Sequence, residues 1–176
     1  MKISRPFSIA ITSVACWIAL PHASAQTSAS APVAAPSPSM STSMSVTKYD
    51  PKRDADADLN AAISEATRDG KHILVKVGGE WCKWCHIMDK FFDNNAALES
   101  ARRASFVTLK VNYSRDNKNE KFLSRYPKIT GYPHLFVLDK NGKLLHSQNT
   151  DTLESGESYD VKVMSEFIAR WSPKKS

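Results

Sequence analysis

Six consecutive residues carry chemistry in this chain: Trp81-Cys82-Lys83-Trp84-Cys85-His86. Two thiols three residues apart, on one turn of a helix, can close a small disulfide ring and open it again. The apolar run Ile73-Leu74-Val75-Lys76-Val77 and the glycines Gly78 and Gly79 come just before, and Ile87, Met88, Phe91 and Phe92 follow at helical spacing. The pattern predicts a strand, a tight turn and a helix that opens on Cys82. At that end, unsatisfied backbone N–H groups and the positive end of the helix dipole stabilise a thiolate on the first sulfur. Dithiol–disulfide exchange is the chemistry such a pair can perform.

The rest of the cysteine count supports a working pair over a structural one. Of three cysteines, Cys16 lies in a stretch that reads as a removable leader. Residues 1–25 have a positive start (Lys2, Arg5), a mostly apolar stretch from Phe7 to Leu20, and Ala23-Ser24-Ala25 as a small-x-small cleavage signal. A membrane anchor would need ~20 apolar residues, and this stretch is shorter and holds Thr12 and Ser13. A lipoprotein reading through Cys16 is weak, because Ser13 stands where a branched apolar residue is usual. The expected location is therefore a bacterial periplasm or the cell exterior, where most disulfides are structural staples. A staple between residues three apart closes almost no loop and would constrain the unfolded chain very little, so chemistry explains this pair better.

The formal net charge is +6, of which Lys2 and Arg5 supply two, leaving +4 after the leader. Basic residues are interspersed with acidic ones and form no stripe with stacking aromatics, so nucleic acid is excluded as a partner. Residues 26–47 are Ser, Ala, Pro, Thr and Met without charge, which predicts a disordered spacer. The folded domain is expected over 48–172 and a frayed tail over 173–176. Within the domain, Asp54 to Asp69 reads as a helix, with Leu59, Ala62, Ile63 and Ala66 as its buried stripe and Gly70 as its stop. The strand at Ile73–Val77 and the motif helix to Phe92 follow, then a short helix capped by Asn94 or Asn95 and a strand at Phe106–Val111. A polar loop over 112–119 leads to a short helix at Glu120–Tyr126. His134–Leu138 is the next strand; Asn141-Gly142 signals a hairpin returning through Leu144–Ser147. A loop over 148–158 and a helix from Asp160, with Met164, Phe167, Ile168 and Trp171 on one face, complete it. The fold class is α/β: a mixed central sheet with helices on both faces.

That element order, with Trp81-Cys82-x-x-Cys85 at a helix start and Gly131-Tyr132-Pro133 before the hairpin, resembles the thioredoxin superfamily over about Asp54 to Trp171. The form Cys82-x-Trp84-Cys85-His86 with Met88 is similar to the motif of the spermatogenesis-associated protein 20 family and of exported bacterial thioredoxin-like proteins. The resemblance implies a thiol–disulfide oxidoreductase with Cys82 as exposed nucleophile and Cys85 as buried resolving thiol. It implies that Pro133 is a cis proline against the disulfide and that Tyr132 offers backbone groups to an extended substrate. The cofactor would be none beyond the redox-active disulfide itself. The partners would be protein thiols or disulfides and a recycling redox protein, which a membrane could hold, with the chain itself a monomer. Lys83 is either a cation that lowers the pKa of Cys82 or a solvent-facing lysine, and Trp84 an apolar lid or partner surface. His86 either relays a proton to Cys85 or covers the helix end; the second reading is preferred.

The sequence also departs from that family. Many thioredoxins hold an acidic residue six positions before the first cysteine and a lysine on the neighbouring strand; here Lys76 and Lys110 occupy those places. Two buried ammonium groups side by side would be costly. One is neutral and able to act as a base, or both turn outward, or Glu80 or Asp139 pairs with them. Two rival functions remain: a zinc or copper(I) site from Cys82, Cys85, His86 and a distant His134 or His72, and a redox-inactive binding module.

Overall fold

The computed structural model describes residues 48–174. The leader and spacer expected over 1–47, and the last two residues of the expected tail, lie outside the described residues. Helix α1 (Ala55–Asp69) is capped by Asp54, whose carboxylate accepts from the N–H groups of Asp56 and Ala57. Gly70 closes it in the left-handed conformation, with φ of 66°. Strand β1 (His72–Gly78) follows, then α2 (Lys83–Asn94), α3 (Ala96–Ser105) and strand β2 (Phe106–Asn112). A short helix α4 (Glu120–Leu123) precedes β3 (His134–Leu138) and β4 (Leu144–Asn149), and α5 (Val161–Trp171) ends the fold. The Asp160 side chain caps α5 by accepting from the Val163 N–H.

The strands form one mixed sheet in the order β2-β1-β3-β4: β1 and β2 are parallel, and β3 runs antiparallel to both β1 and β4. Side chains alternate across β1, so the strand is buried on both faces and reads as a nearly continuous apolar run. Ile73, Val75 and Val77 cluster with Leu59, Ala62 and Ala66 of α1 and with Phe122 of α4. Leu74 clusters with Met88, Phe91 and Phe92 of α2, Leu98 of α3 and Met164, Phe167 and Ile168 of α5. The sheet with helices on both faces is the architecture the sequence implies. It sets the C-terminal end of β1, and hence the Cys82–Cys85 pair, at the rim of the sheet.

Three expectations are corrected. The region 148–158 is not a plain loop: β4 runs on to Asn149, a 3-10 turn spans Thr150–Leu153, and two-residue strands β5 (Glu154–Ser155) and β6 (Ser158–Tyr159) pair antiparallel. The helix expected to reach Tyr126 stops at Leu123, where chain direction is kept only by single turn bonds such as Tyr126 N–H to Leu123 C=O. Asn95 stands at the N-cap of α3 but does not cap it with its side chain; the amide donates instead to the Phe91 carbonyl at the end of α2. Among the described residues no helix is long and apolar enough to cross a membrane.

Candidate active site

Gly78 and Gly79 end β1 and turn the chain into α2, and Cys82 is the N-cap residue of that helix. Cys82 and Cys85 are joined by a disulfide, with their Cα atoms 5.2 Å apart. The Cys82 sulfur accepts from the Cys85 N–H at 3.2 Å, in the place a serine or aspartate oxygen takes at an ordinary N-cap. One of the free N–H groups of the helix start is thus already aimed at the sulfur on which a thiolate would form. Gly78 is needed for this approach, because an added Cβ there would run into the Cys85 sulfur and stand 3.2 Å from the Tyr49 hydroxyl oxygen.

The expectation that Cys82 is exposed is not met: it is 3 % exposed in the closed ring, and Cys85 is fully buried. The reason is an aromatic cover. Tyr49 shares a buried cluster with the two cysteines, and Tyr132 packs against that cluster. Trp81, 57 % exposed, meets Tyr132 edge-on with ring centroids 5.6 Å apart and donates its indole N–H to the Tyr113 carbonyl at 2.6 Å. Tyr113 stacks on Tyr132 at 4.9 Å. The neighbours of Cys82 in the chain, Trp81 and Lys83, are both exposed. The peptide bond between Tyr132 and Pro133 is cis, as the resemblance implies, and the Pro133 carbonyl accepts from the buried Thr150 hydroxyl at 2.7 Å.

Beneath the disulfide, Lys76 and Lys110 are register partners on β1 and β2. Neither turns outward, and neither Glu80 nor Asp139 pairs with them. Asp89 does, one helical turn after Cys85: its two oxygens accept from Lys76 Nζ at 2.8 Å and Lys110 Nζ at 2.9 Å. Lys76 Nζ also donates to the Cys85 carbonyl at 2.9 Å. Glu80 instead accepts from the Tyr49 N–H, and Asp139 accepts from the N–H groups of Asn141 and Lys143 in the hairpin. Both partners shift downward, for different reasons. Burial lowers the Lys76 ammonium to about 8, more than Asp89 can offset. Burial pushes the Asp89 carboxyl up, but the charges and hydrogen bonds of the two lysines outweigh it and hold it below the usual carboxylate range. The difference follows exposure, since the Lys76 side chain is 5 % exposed and that of Asp89 is 36 %.

The comparisons with known proteins agree on the fold that carries this cysteine pair. Residues 54–140 match the family model described as thioredoxin-like. That stretch is a thioredoxin-like domain. Among its relatives is the disulfide bond reductase DsbH of Chlamydia pneumoniae, 26 % identical over 118 residues, which are 62 % of this chain and 70 % of that protein. A disulphide isomerase from Xylella fastidiosa Temecula1 superposes with a TM-score of 0.56 at 22 % identity, over 69 % of this chain and 94 % of that one. The C-terminal domain of Neisseria meningitidis DsbD in its oxidised form gives 0.52 at 16 %, over 67 % and 96 %. Both structures share the thioredoxin-like fold.

Within this thioredoxin-like domain the remaining expected residues separate. Trp84 does not cover the disulfide: it meets Tyr159 of β6 edge-on at 5.6 Å, and its carbonyl accepts from the Tyr159 hydroxyl at 3.3 Å. The exposed ring beside the disulfide is that of Trp81. His86 is exposed, with Nε2 2.8 Å from the Glu80 carbonyl and 3.8 Å from a Glu80 carboxylate oxygen, so it ties the motif turn together. His134 is buried with Nε2 2.8 Å from the Ser147 hydroxyl, and His72 has Nδ1 2.8 Å from the Trp171 carbonyl. The four ligands of the metal reading therefore face different partners, and the two sulfurs are bonded to each other. Among the described residues no three His, Cys, Asp or Glu side chains converge on a metal-binding geometry. Sequence reasoning missed two residues. Asp89 carried a signal, being four after Cys85 on the same helical face as the cysteine above Lys76. Tyr49 carried none, since it precedes α1 and belongs to no periodic pattern.

Proposed function

We propose that the chain is a thiol–disulfide oxidoreductase that reduces disulfides in protein substrates through Cys82 and Cys85. The observation that carries this reading is the Cys82 sulfur at the N-cap of α2, accepting a helix N–H. In the reduced pair the Cys82 thiolate attacks one sulfur of a substrate disulfide, and the other substrate sulfur leaves as a thiolate. Cys85 then loses its proton and attacks the Cys82 sulfur, which frees the second substrate thiol and closes the Cys82–Cys85 bond. A recycling dithiol reverses the last change, being oxidised to a disulfide as the pair is reduced. To reach Cys82, an extended substrate segment displaces the Trp81–Tyr132 contact and lies along the backbone of Tyr132 and Pro133. Lys76 acts as a positioning residue through the Cys85 carbonyl, His86 steadies the turn, and Lys83 faces solvent beside the thiolate.

The reducing direction is supported by the name of the Chlamydia pneumoniae relative. Export is part of the proposal: residues 1–25 as leader, 26–47 as spacer, and a periplasmic or secreted domain recycled by a redox partner. Two measurements test it. A Cys85→Ala variant given a protein disulfide should accumulate a mixed disulfide through Cys82, and trapping through neither cysteine would refute the roles. A reduction potential of about −270 mV agrees with a reductase, and one of about −120 mV reverses the direction.

A further inference from the structure

Tyr49 stands before the first helix and is 3 % exposed. Its backbone N–H is held by Glu80, and its ring lies near two cations, with Lys110 Nζ 5.3 Å and Lys76 Nζ 5.9 Å from the centroid. Its hydroxyl is buried, and among the described residues no group accepts from or donates to it. Such an orphan is costly in the interior and calls for an explanation. The hydroxyl oxygen and the Cys85 sulfur border the same point, the place where a Cβ of Gly78 would stand. The hydroxyl keeps its proton throughout the working range, because burial first, and then the charges of Asp89 and Glu80, raise its pKa well above the ordinary value. It can therefore serve as a donor at any pH at which the protein works.

We propose that the Tyr49 hydroxyl is the hydrogen-bond donor that receives the Cys85 sulfur when the disulfide opens. In the closed ring the sulfur is a weak acceptor and the hydroxyl is unpartnered. When a dithiol is oxidised and the Cys82–Cys85 bond opens to two thiols, Cys85 becomes a better acceptor, and a much better one once it has lost its proton. The hydroxyl is satisfied in one redox state only, so it favours the reduced pair and raises its reduction potential. It also makes Cys85 more acidic, together with Lys76 on its carbonyl and Lys110 nearby, and against the opposing charges of Asp89 and Glu80. That assists the second step of exchange, in which Cys85 attacks Cys82. The inference rests on the redox reading above.

The test is the thiol–disulfide equilibrium of wild type and Tyr49→Phe with dithiothreitol, read by alkylation and mass. Phenylalanine keeps the ring beside the lysines and removes only the hydroxyl. The expected result is an equilibrium constant shifted about tenfold toward the disulfide, which is about 30 mV more negative for a two-electron couple. A shift below about twofold overturns the inference while leaving the redox reading in place. A wild type that does not exchange with dithiothreitol at all overturns the redox reading. Should the variant fold poorly, the wild type still decides: the Tyr49 ring carbon bearing the hydroxyl should change its NMR shift on reduction, and an unchanged resonance contradicts the proposal. The unfolding midpoint of oxidised Tyr49→Phe should not fall, since no hydrogen bond is lost in that state.

Discussion

Asp89→Asn isolates the charge arrangement under the disulfide. The substitution keeps the shape of the side chain but removes the anion that serves Lys76 and Lys110, whose side chains are 5 % and 12 % exposed. Breaking a fully buried ion pair by removing one partner costs about 3–5 kcal/mol. Here Asp89 is 36 % exposed, so water screens part of the pair and replaces part of what is lost, which brings the expected cost to about 2 kcal/mol at pH 7. The cost arises from the lysine left inside, because burial has already lowered Lys76 to about 8 and the loss of Asp89 lowers it further. Urea unfolding of the oxidised protein measures it, with Lys76→Met and the double variant completing a cycle. Lys76→Met should recover at least about 1 kcal/mol in the Asp89→Asn background, and the Asp89→Asn deficit should shrink as pH rises from 7 to 9.5. An Asp89→Asn variant within about 0.5 kcal/mol of wild type, with no coupling to Lys76, would refute the reasoning.

Three further outcomes follow from the same contacts. Folded Lys76 gives up its proton near pH 8 while the unfolded chain holds it to 10.5, so the unfolded state binds more protons between those values and stability rises with pH there. Measured against Lys76→Met, wild type should gain about 3 kcal/mol across that window, and a loss would contradict the assigned burial. Asp89 has the opposite edge: its contribution is complete above the ordinary carboxylate value of 3.8 and is lost as pH falls below it, so Asp89→Asn should flatten the acid limb of unfolding. Gly78→Ala should lower the stability of the oxidised form by about 1–3 kcal/mol through collision with the Cys85 sulfur, read as a lowered urea midpoint; an unchanged midpoint would show that the turn can yield.

Patterns that repeat were legible in the chain, and partners reached across it were not. The run Ile73–Val77 and the helical spacing of Met88, Phe91 and Phe92 located β1 and α2, because each element buries a face and the face leaves a period. Asn141-Gly142 placed the β3–β4 hairpin, with Gly142 at a φ of 84°. Strands β5 and β6 escaped notice because two residues are too few to show alternation. Lys76 and Lys110 stand out in the sequence as two cations on neighbouring strands, and they are register partners on β1 and β2. Their anion was missed because Asp89 looks like a polar position between Met88 and Phe91 until α2 is laid over the sheet. The burial of Cys82 had no sequence signal either, since it depends on Tyr132 arriving from the far side of the fold and on Tyr49 from ahead of it. Local chemistry fixed where the pair lies; tertiary approach decided what surrounds it.

The central claim is that the Cys82 sulfur is poised as a thiolate by the opening turn of α2. The rate of alkylation of Cys82 in the reduced protein, followed against pH with Cys85 changed to alanine, measures it directly. The account predicts an apparent pKa below about 7.5, against about 8.5 for an ordinary thiol. A Cys82 that titrates at about 8.5 or above, or that is not alkylated at any pH at which the protein stays folded, would contradict it.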